Sequence, residues 1–326
     1  MQPAPPCRYM NVELALDPTR PEKSIDRPAR SVQYPRVTNP KKPVRARTGT
    51  KMTLKRRSAI PGFGLTIGLT LFYLSLIVLI PMTALILRAA TGGWEHFIEA
   101  AFSERAVAAY KVSFGTAFIA ALINAIFGVV VAFVLVRYRF PGRQLLSALV
   151  DLPFALPTAV AGIALTAIYA DTGWVGSLVA PYGIKLAYQP QGIVIALIFI
   201  GLPFIVRTVE PVLADLGADA EEAAATLGAG RWRTFRSVVL PEIMPALVTG
   251  FALAFARGVG EYGSVIFIAG NMPFHSEIAP LLIITSLEEY DYAGATGIAI
   301  VMLLASLAVL LLINAIQHRE RVRRGL

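Results

Sequence analysis

Six long apolar runs organise the sequence, at 61–88, 109–137, 144–170, 190–212, 243–268 and 290–317. A bilayer core about 30 Å thick is crossed by about 20 apolar residues in α-helix. Each run reaches or approaches that length, so the pattern predicts an all-α integral membrane protein with six transmembrane helices. The first run is too long for a signal-peptide core and has no clear small-residue cleavage site, so it reads as an uncleaved span. The third and fifth runs carry polar residues among apolar ones, which marks them for function. Residues 1–57 are different material: rich in Pro ("QPAPPC", "YPRVTNPKKP") and in basic residues, without helical or strand period. They read as a disordered, cytoplasmic tail ahead of a membrane domain over 58–326. Met52 opens a short basic leader, "MTLKRRSAIPGF", and is the expected natural start of translation; a native tail that binds anionic headgroups is the alternative.

Composition supports the bilayer as solvent. Of 326 residues, 56% are hydrophobic and 16% charged, with a mean hydropathy of +0.62, too apolar for an ordinary soluble domain. The net charge of +9 would raise nucleic acid as a partner, but 14 of the 30 Lys and Arg precede residue 58, so nearly half of the basic residues lie in a tail and no nucleic acid is expected. Cys7 is the single cysteine, which excludes an internal disulfide, and His96, His275 and His318 have no metal-ligand spacing.

Charge in the short loops orients the chain. Arg56 and Arg57 precede the first run; Arg137, Arg139 and Arg143 separate the second from the third; Arg231, Arg233 and Arg236 separate the fourth from the fifth; Arg319, Arg321, Arg323 and Arg324 follow the sixth. With six spans all four segments fall on one side, which places both termini in the cytoplasm. The opposite loops are poorer in bases, and the last carries only acids such as Glu277. In the outer loop 89–108, Trp94 and Phe97 have helical spacing and suit an anchor against membrane lipid.

Catalytic signatures are missing from the sequence. There is no G-x-x-x-x-G-K-[ST], H-E-x-x-H, G-x-S-x-G or CxxC. Active transport would therefore need an ion gradient or a separate ATPase.

Between the fourth and fifth runs lies "AEEAAATLGAGRWRTFRSVVLP", residues 220–241. It reads as a short helix with Asp219 as N-cap, Glu221 and Glu222 in the first turn and Gly228 as the stop. Ala220, Ala223, Ala224 and Leu227 recur at i, i+3, i+4 and i+7 and share a shallow face suited to a groove on another surface. A second segment puts Trp232, Phe235 and Val239 on one side, and Pro241 marks where the next helix could begin. Packing on the chain's own spans and docking to a cytoplasmic partner both fit these residues.

The spacing goes further: Glu222-Ala223-Ala224, three residues, Gly228, nine residues, Val238, one residue, Leu240-Pro241. This resembles the EAA loop of ABC-importer permeases, with Val for the usual Ile. The resemblance implies a type I ABC-importer permease fold in which 213–241 is a cytoplasmic coupling loop. Glu222, Ala223, Ala224, Gly228, Leu240 and Pro241 then belong to the contact with an ATP-binding subunit.

Two other segments refine the resemblance. "FARGVGEYGSVIFIAGNMP" at 255–273 holds Arg257 and Glu261 at i, i+4, expected as a helical ion pair near the cytoplasmic half. "DLPFALPTAVAG" at 151–162 holds Asp151 near the cytoplasmic end, and Pro153 and Pro157, which loosen the backbone ladder. With "PGFGLTIGLTLFYLSLIVLIP" at 61–81 and "SEIAPLLI" at 276–283, these segments closely resemble sulfate/thiosulfate ABC-importer permeases of the T type, over about 52–326. Related molybdate permeases share part of the pattern, so a molybdate or tungstate importer is the alternative. A proton-coupled secondary transporter is a more distant one, for which Asp151 and Glu261 are present as ionisable groups but no internal repeat is evident. The resemblance implies a non-catalytic subunit of the bacterial inner membrane. It would pair with a paralogous W-type permease, two ATPase copies that bind ATP and Mg, and a periplasmic binding protein for sulfate and thiosulfate, with no cofactor in this chain. Asp151, Pro153, Pro157, Arg257, Glu261, Tyr262, Ser264 and Asn271 are the candidates for gate or pathway. Arg257 reads as the most internal base and Glu261 offsets it, so no tight sulfate site is expected in this subunit.

Overall fold

The structure is a computed structural model that describes residues 63–91 and 94–323. The tail over 1–57, with Cys7 and Met52, lies outside the described residues, as do the side chains of Trp94 and His318. Every regular element among the described residues is helical. In chain order they are α1 (Phe63–Leu74), α2 (Ile80–Thr91), α3 (Trp94–Ala101), α4 (Glu104–Arg137), α5 (Arg143–Ala155), α6 (Thr158–Tyr169), α7 (Gly176–Val179), α8 (Pro190–Leu216), α9 (Asp219–Thr226), α10 (Arg231–Thr234), α11 (Leu240–Val259), α12 (Val265–Ile268), α13 (Ala279–Glu288) and α14 (Tyr292–Arg323). Five helical stretches are long and apolar enough to cross a membrane, and a bent pair, α5 with α6, brings the number to six.

The core is α4, α8 and α11. On α4 the buried positions Ala106, Ala109, Ser113, Ala117, Ala120 and Asn124 step by three or four residues, the spacing of a single helix face. They are mostly small, which lets backbones approach closely where lipid offers no hydrophobic drive for helices to associate. Larger side chains from the other two helices, Ile193, Ile205, Ile243 and Phe255 among them, fill the opposing surface. Phe118 meets Phe251 edge-on at 5.7 Å, an arrangement favoured by the ring quadrupoles.

Three of the expected spans have a different form. The third run is broken: α5 and α6 meet at 115°. Pro153 lies inside α5, and Pro157 takes the position just before α6, where its φ of −56° suits a helix start and its missing N–H breaks the ladder. The fifth span is displaced towards the N-terminus. It runs Arg231–Val259 as one helical rod, and 260–271 is a turn followed by the one-turn α12. Pro241 takes the first turn of α11, as expected, and α11 continues the rod without a break. A π-helical turn, Phe235–Val239, comes just before it, with the Leu240 N–H reaching back to the Phe235 carbonyl. The first span shows the same arrangement, a π turn at Ser75–Leu79 followed by Ile80 and Pro81. In both cases the wider turn adapts the ladder beside a residue that cannot donate.

Candidate functional site

At one end of the bundle α9 and α10 form an exposed hairpin. Asp219 is the first residue of α9 and Ala218 takes the cap position with no side-chain bond, so the N-cap expected at Asp219 is not formed. The Ala218 carbonyl accepts from the N–H groups of Glu221 and Glu222, at 3.0 and 2.9 Å, so the first turn closes through the backbone. Gly228 ends the helix as expected. With φ +81° it takes the left-handed conformation that glycine adopts without strain, its N–H donates to the Ala225 carbonyl, and the Ala229 N–H donates to the Ala224 carbonyl, the paired bonds of a Schellman stop.

The small face of α9 is divided: Ala220 and Ala224 are half-buried, while Ala223 and Leu227 are exposed with Glu222. Leu227 is 89% exposed and Trp232 72%. Trp232 stacks on Phe235 at 5.8 Å, and Phe235 meets Phe133 of α4 edge-on. Leu240 is half-buried and Pro241 exposed.

The candidates from the third and fifth runs fall into two groups. Asp151 belongs with Arg207 of α8, which donates from Nε to Asp151 Oδ1 at 2.7 Å and also holds Glu210 and Ser147. Arg207 is nine residues from the hairpin end of α8, so Arg257 is not the one base inside a span. Arg207 was legible in principle: a charge inside a 27-residue apolar helix needs a partner.

Glu261, Arg257, Ser264 and Tyr262 form the other group. Glu261 lies past the end of α11, so the pair is not within a helix, yet it forms: one carboxylate oxygen faces Arg257. The other accepts from the Ser264 N–H and hydroxyl, both at 3.0 Å. Glu261 is 3% exposed and Ser264 fully buried; Tyr262 is half-buried beside them. Gly258, one residue beyond Arg257, faces Ala117 and Leu197. Leu197 is seven residues from the start of α8 and nineteen from its hairpin end. The pair therefore sits towards the end opposite the hairpin, not in the hairpin half where it was expected.

Packing fixes this turn. A Cβ on Gly162 of α6 would lie 2.4 Å from the Ser264 carbonyl oxygen and one on Gly263 would lie 2.3 Å from Thr158 Oγ1. The bend at Pro157 thus delivers α6 against the Glu261 turn. Asn271 closes the segment with φ +55°, donating to the Ile266 carbonyl at 2.9 Å.

Other polar pairings were not foreseen. Arg137 joins the end of α4 to Glu221. Arg105 grips Glu277 through two bonds of 2.8 and 2.7 Å at the far end, and His96 meets Asp291 at 3.0 Å. Asn124, wholly buried in α4, donates to the Ile198 carbonyl of α8 at 3.1 Å, just before Pro203 interrupts that helix's ladder.

Residues 124–321 match the family model described as "Binding-protein-dependent transport system inner membrane component". The chain belongs to that family. Among relatives of this transport component, the sulfate transport system permease protein CysT of Escherichia coli (strain K12) is 49% identical over 263 residues, 81% of this chain and 95% of the relative. The CysT protein of Synechococcus elongatus is 52% identical over 249 residues, 76% and 90% of the two chains. A bacterial ABC transporter involved in import of the acidic polysaccharide alginate superposes with a TM-score of 0.67 at 18% identity, covering 79% of this chain and 96% of that one. The inner-membrane component described here thus has the fold of an ABC-importer permease subunit and is a non-catalytic member of its transporter.

Proposed function

We propose that this chain is the membrane-spanning subunit of an ATP-driven importer that moves sulfate, and thiosulfate with it, from periplasm to cytoplasm. The carrying observation is identity of about one half, over most of both chains, to permeases named for sulfate transport. In this reading both termini are cytoplasmic. The hairpin end holds Arg137, Arg139, Arg143, Arg231, Arg233 and Arg236, while acids such as Glu277 and Asp291 gather at the other, the polarity of the positive-inside rule.

The hairpin docks an ATPase. Glu222 and Ala223 face outward on α9, Ala224 lies at its edge, Gly228 stops the helix, and Leu240 and Pro241 return the chain to the membrane. Two ATPase copies bind ATP and Mg below a pair formed by this chain and a W-type subunit, and a periplasmic binding protein delivers the anion. A dianion does not enter hydrocarbon, so its path is lined by donors and water. The segments suited to that path are the two where helix gives way to turn, around Pro153 and Pro157 and from Glu261 through Tyr262 and Ser264 to Asn271. Glu261 holds Arg257 and Ser264 together, and Asp151 braces Arg207 on the hairpin side.

Reconstitution with the ATPase, the W-type subunit and the binding protein tests the reading. Sulfate and thiosulfate are expected to stimulate ATP hydrolysis, and Glu222→Lys to release the ATPase while the permease still inserts. Stimulation by molybdate or tungstate but not sulfate would replace the substrate. Sulfate uptake that persists without the ATPase would revive a secondary transporter.

A further inference from the structure

The joint between α8 and α9 is held from outside by one side chain. α8 ends at Leu216 and α9 begins at Asp219, so the chain turns within Gly217 and Ala218. Gly217 has φ 65° and ψ −175°, a region open essentially to glycine alone. Arg137, the last residue of α4, donates from Nη2 to the Gly217 carbonyl at 2.6 Å and from Nε to Glu221 Oε1 at 2.9 Å. One guanidinium therefore grips the joint and the first turn of α9 together. Its planar fork fixes direction as well as distance. The side chains of Arg137 and Glu221 are only 15% and 25% exposed, so salt screens this pair less than a surface pair.

The other ties of α9 run to the foot of the fifth-span rod rather than to α4. Its main backbone contacts are with α10 and the π turn, which belong to the same hairpin and rod. α4, by contrast, is packed along its length on α8 and α11. Adjacent carboxylates also face opposite ways: Glu222 is exposed, and Glu221 is turned inward to Arg137.

We propose that Arg137 is a positioning residue that passes displacement of α9 to α4, beside the direct contact of α9 with the foot of the fifth-span rod. The proposal rests on reading α9 as the ATPase-docking helix. Under it, Glu222 receives the push and Glu221 with the Gly217 carbonyl hands it on.

The test uses the full complex in proteoliposomes, with two readouts: ATPase retained on the solubilised permease, and sulfate taken up per ATP hydrolysed. Arg137→Gln and the isosteric Glu221→Gln are expected to retain the ATPase and keep hydrolysing ATP. Loss of these charge-assisted bonds should cut sulfate per ATP by about tenfold. Arg137→Lys, which keeps the charge without the fork, should fall between them and the native protein. Glu222→Lys serves as the docking control and should release the ATPase. If it does, and both Gln variants transport at the native ratio, the proposal fails while the docking reading stands. Release of the ATPase by the Gln variants would make Arg137 a docking residue and overturn the proposal. Retention of the ATPase by Glu222→Lys would remove the docking reading and the proposal together.

Discussion

At the scale of single residues, backbone proximity and paired charge are the two constraints on the candidate pathway. Gly162 is a close backbone approach: any side chain there meets the backbone of Ser264, which cannot rotate aside. Gly162→Ala should therefore shift α6 or the Glu261 turn and destabilise the protein by about 1–3 kcal/mol. A lowered apparent melting temperature in detergent would report it. Gly68→Ala, with nothing within 4 Å of the new methyl, should leave that temperature nearly unchanged, and equal shifts in the two variants would refute the packing argument. The pairing of Arg257 with Glu261 was legible from spacing alone, because both residues lie within one short stretch. Asp151 was legible only as a lone acid. Its partner Arg207 is 56 residues away, and helical periodicity says nothing about which charges in different spans meet. The pairing of Arg137 with Glu221 escaped notice for the same reason.

At the scale of elements, length and apolarity identified the spans, and the breaks were what they could not show. Hydropathy measures composition without direction, so apolar residues on both sides of Pro157 read as one run although the helices meet at 115°. The fifth run likewise continued through the turn at 260–264, because the residues beyond it are equally apolar. The short helix α3 was expected from its aromatic spacing, but its tie to α14 was not. Hydrogen bonding to Asp291 raises the pKa of His96 above its ordinary 6.5, with Glu99 adding a smaller pull. Burial works to raise Asp291, but the Gly294 N–H and His96 outweigh it and hold the carboxyl below its ordinary 3.8. The tie is therefore complete between those two ordinary values. It weakens as pH rises through the raised value of His96 and again as pH falls through the lowered value of Asp291. Since both side chains are well exposed, the effect is modest. Once intrinsic rates are corrected for pH, amide exchange in Trp94–Ala101 should be faster at pH 8 than at pH 6. His96→Ala should abolish that difference; a difference that survives the substitution would assign it to another group.

At the scale of the whole molecule, four arginines of the described spans are committed to carboxylates. Arg105 holds Glu277, Arg137 holds Glu221, Arg207 holds Asp151 and Glu210, and Arg257 holds Glu261. Each of these four guanidiniums is already neutralised by a carboxylate, so none of the four is free to meet a desolvated dianion. Calorimetric titration of the purified chain with sulfate is therefore expected to show a Kd weaker than about 1 mM; micromolar binding would contradict the expectation that this subunit holds no tight sulfate site. The same view ranks the spans by how much of each is enclosed by its own chain: 56% for Pro190–Leu216, 39% for Glu104–Arg137, 33% for Arg231–Val259, 17% for Tyr292–Ala315 and none for Gly64–Ala84. In biosynthetic terms, that ranking separates insertion from assembly. The first span can enter the bilayer and rest there as an independent helix. The three enclosed spans reach their final surroundings only when the last of them, Arg231–Val259, has left the ribosome, so the nascent protein holds exposed Ala, Asn and Ser faces in lipid until that moment.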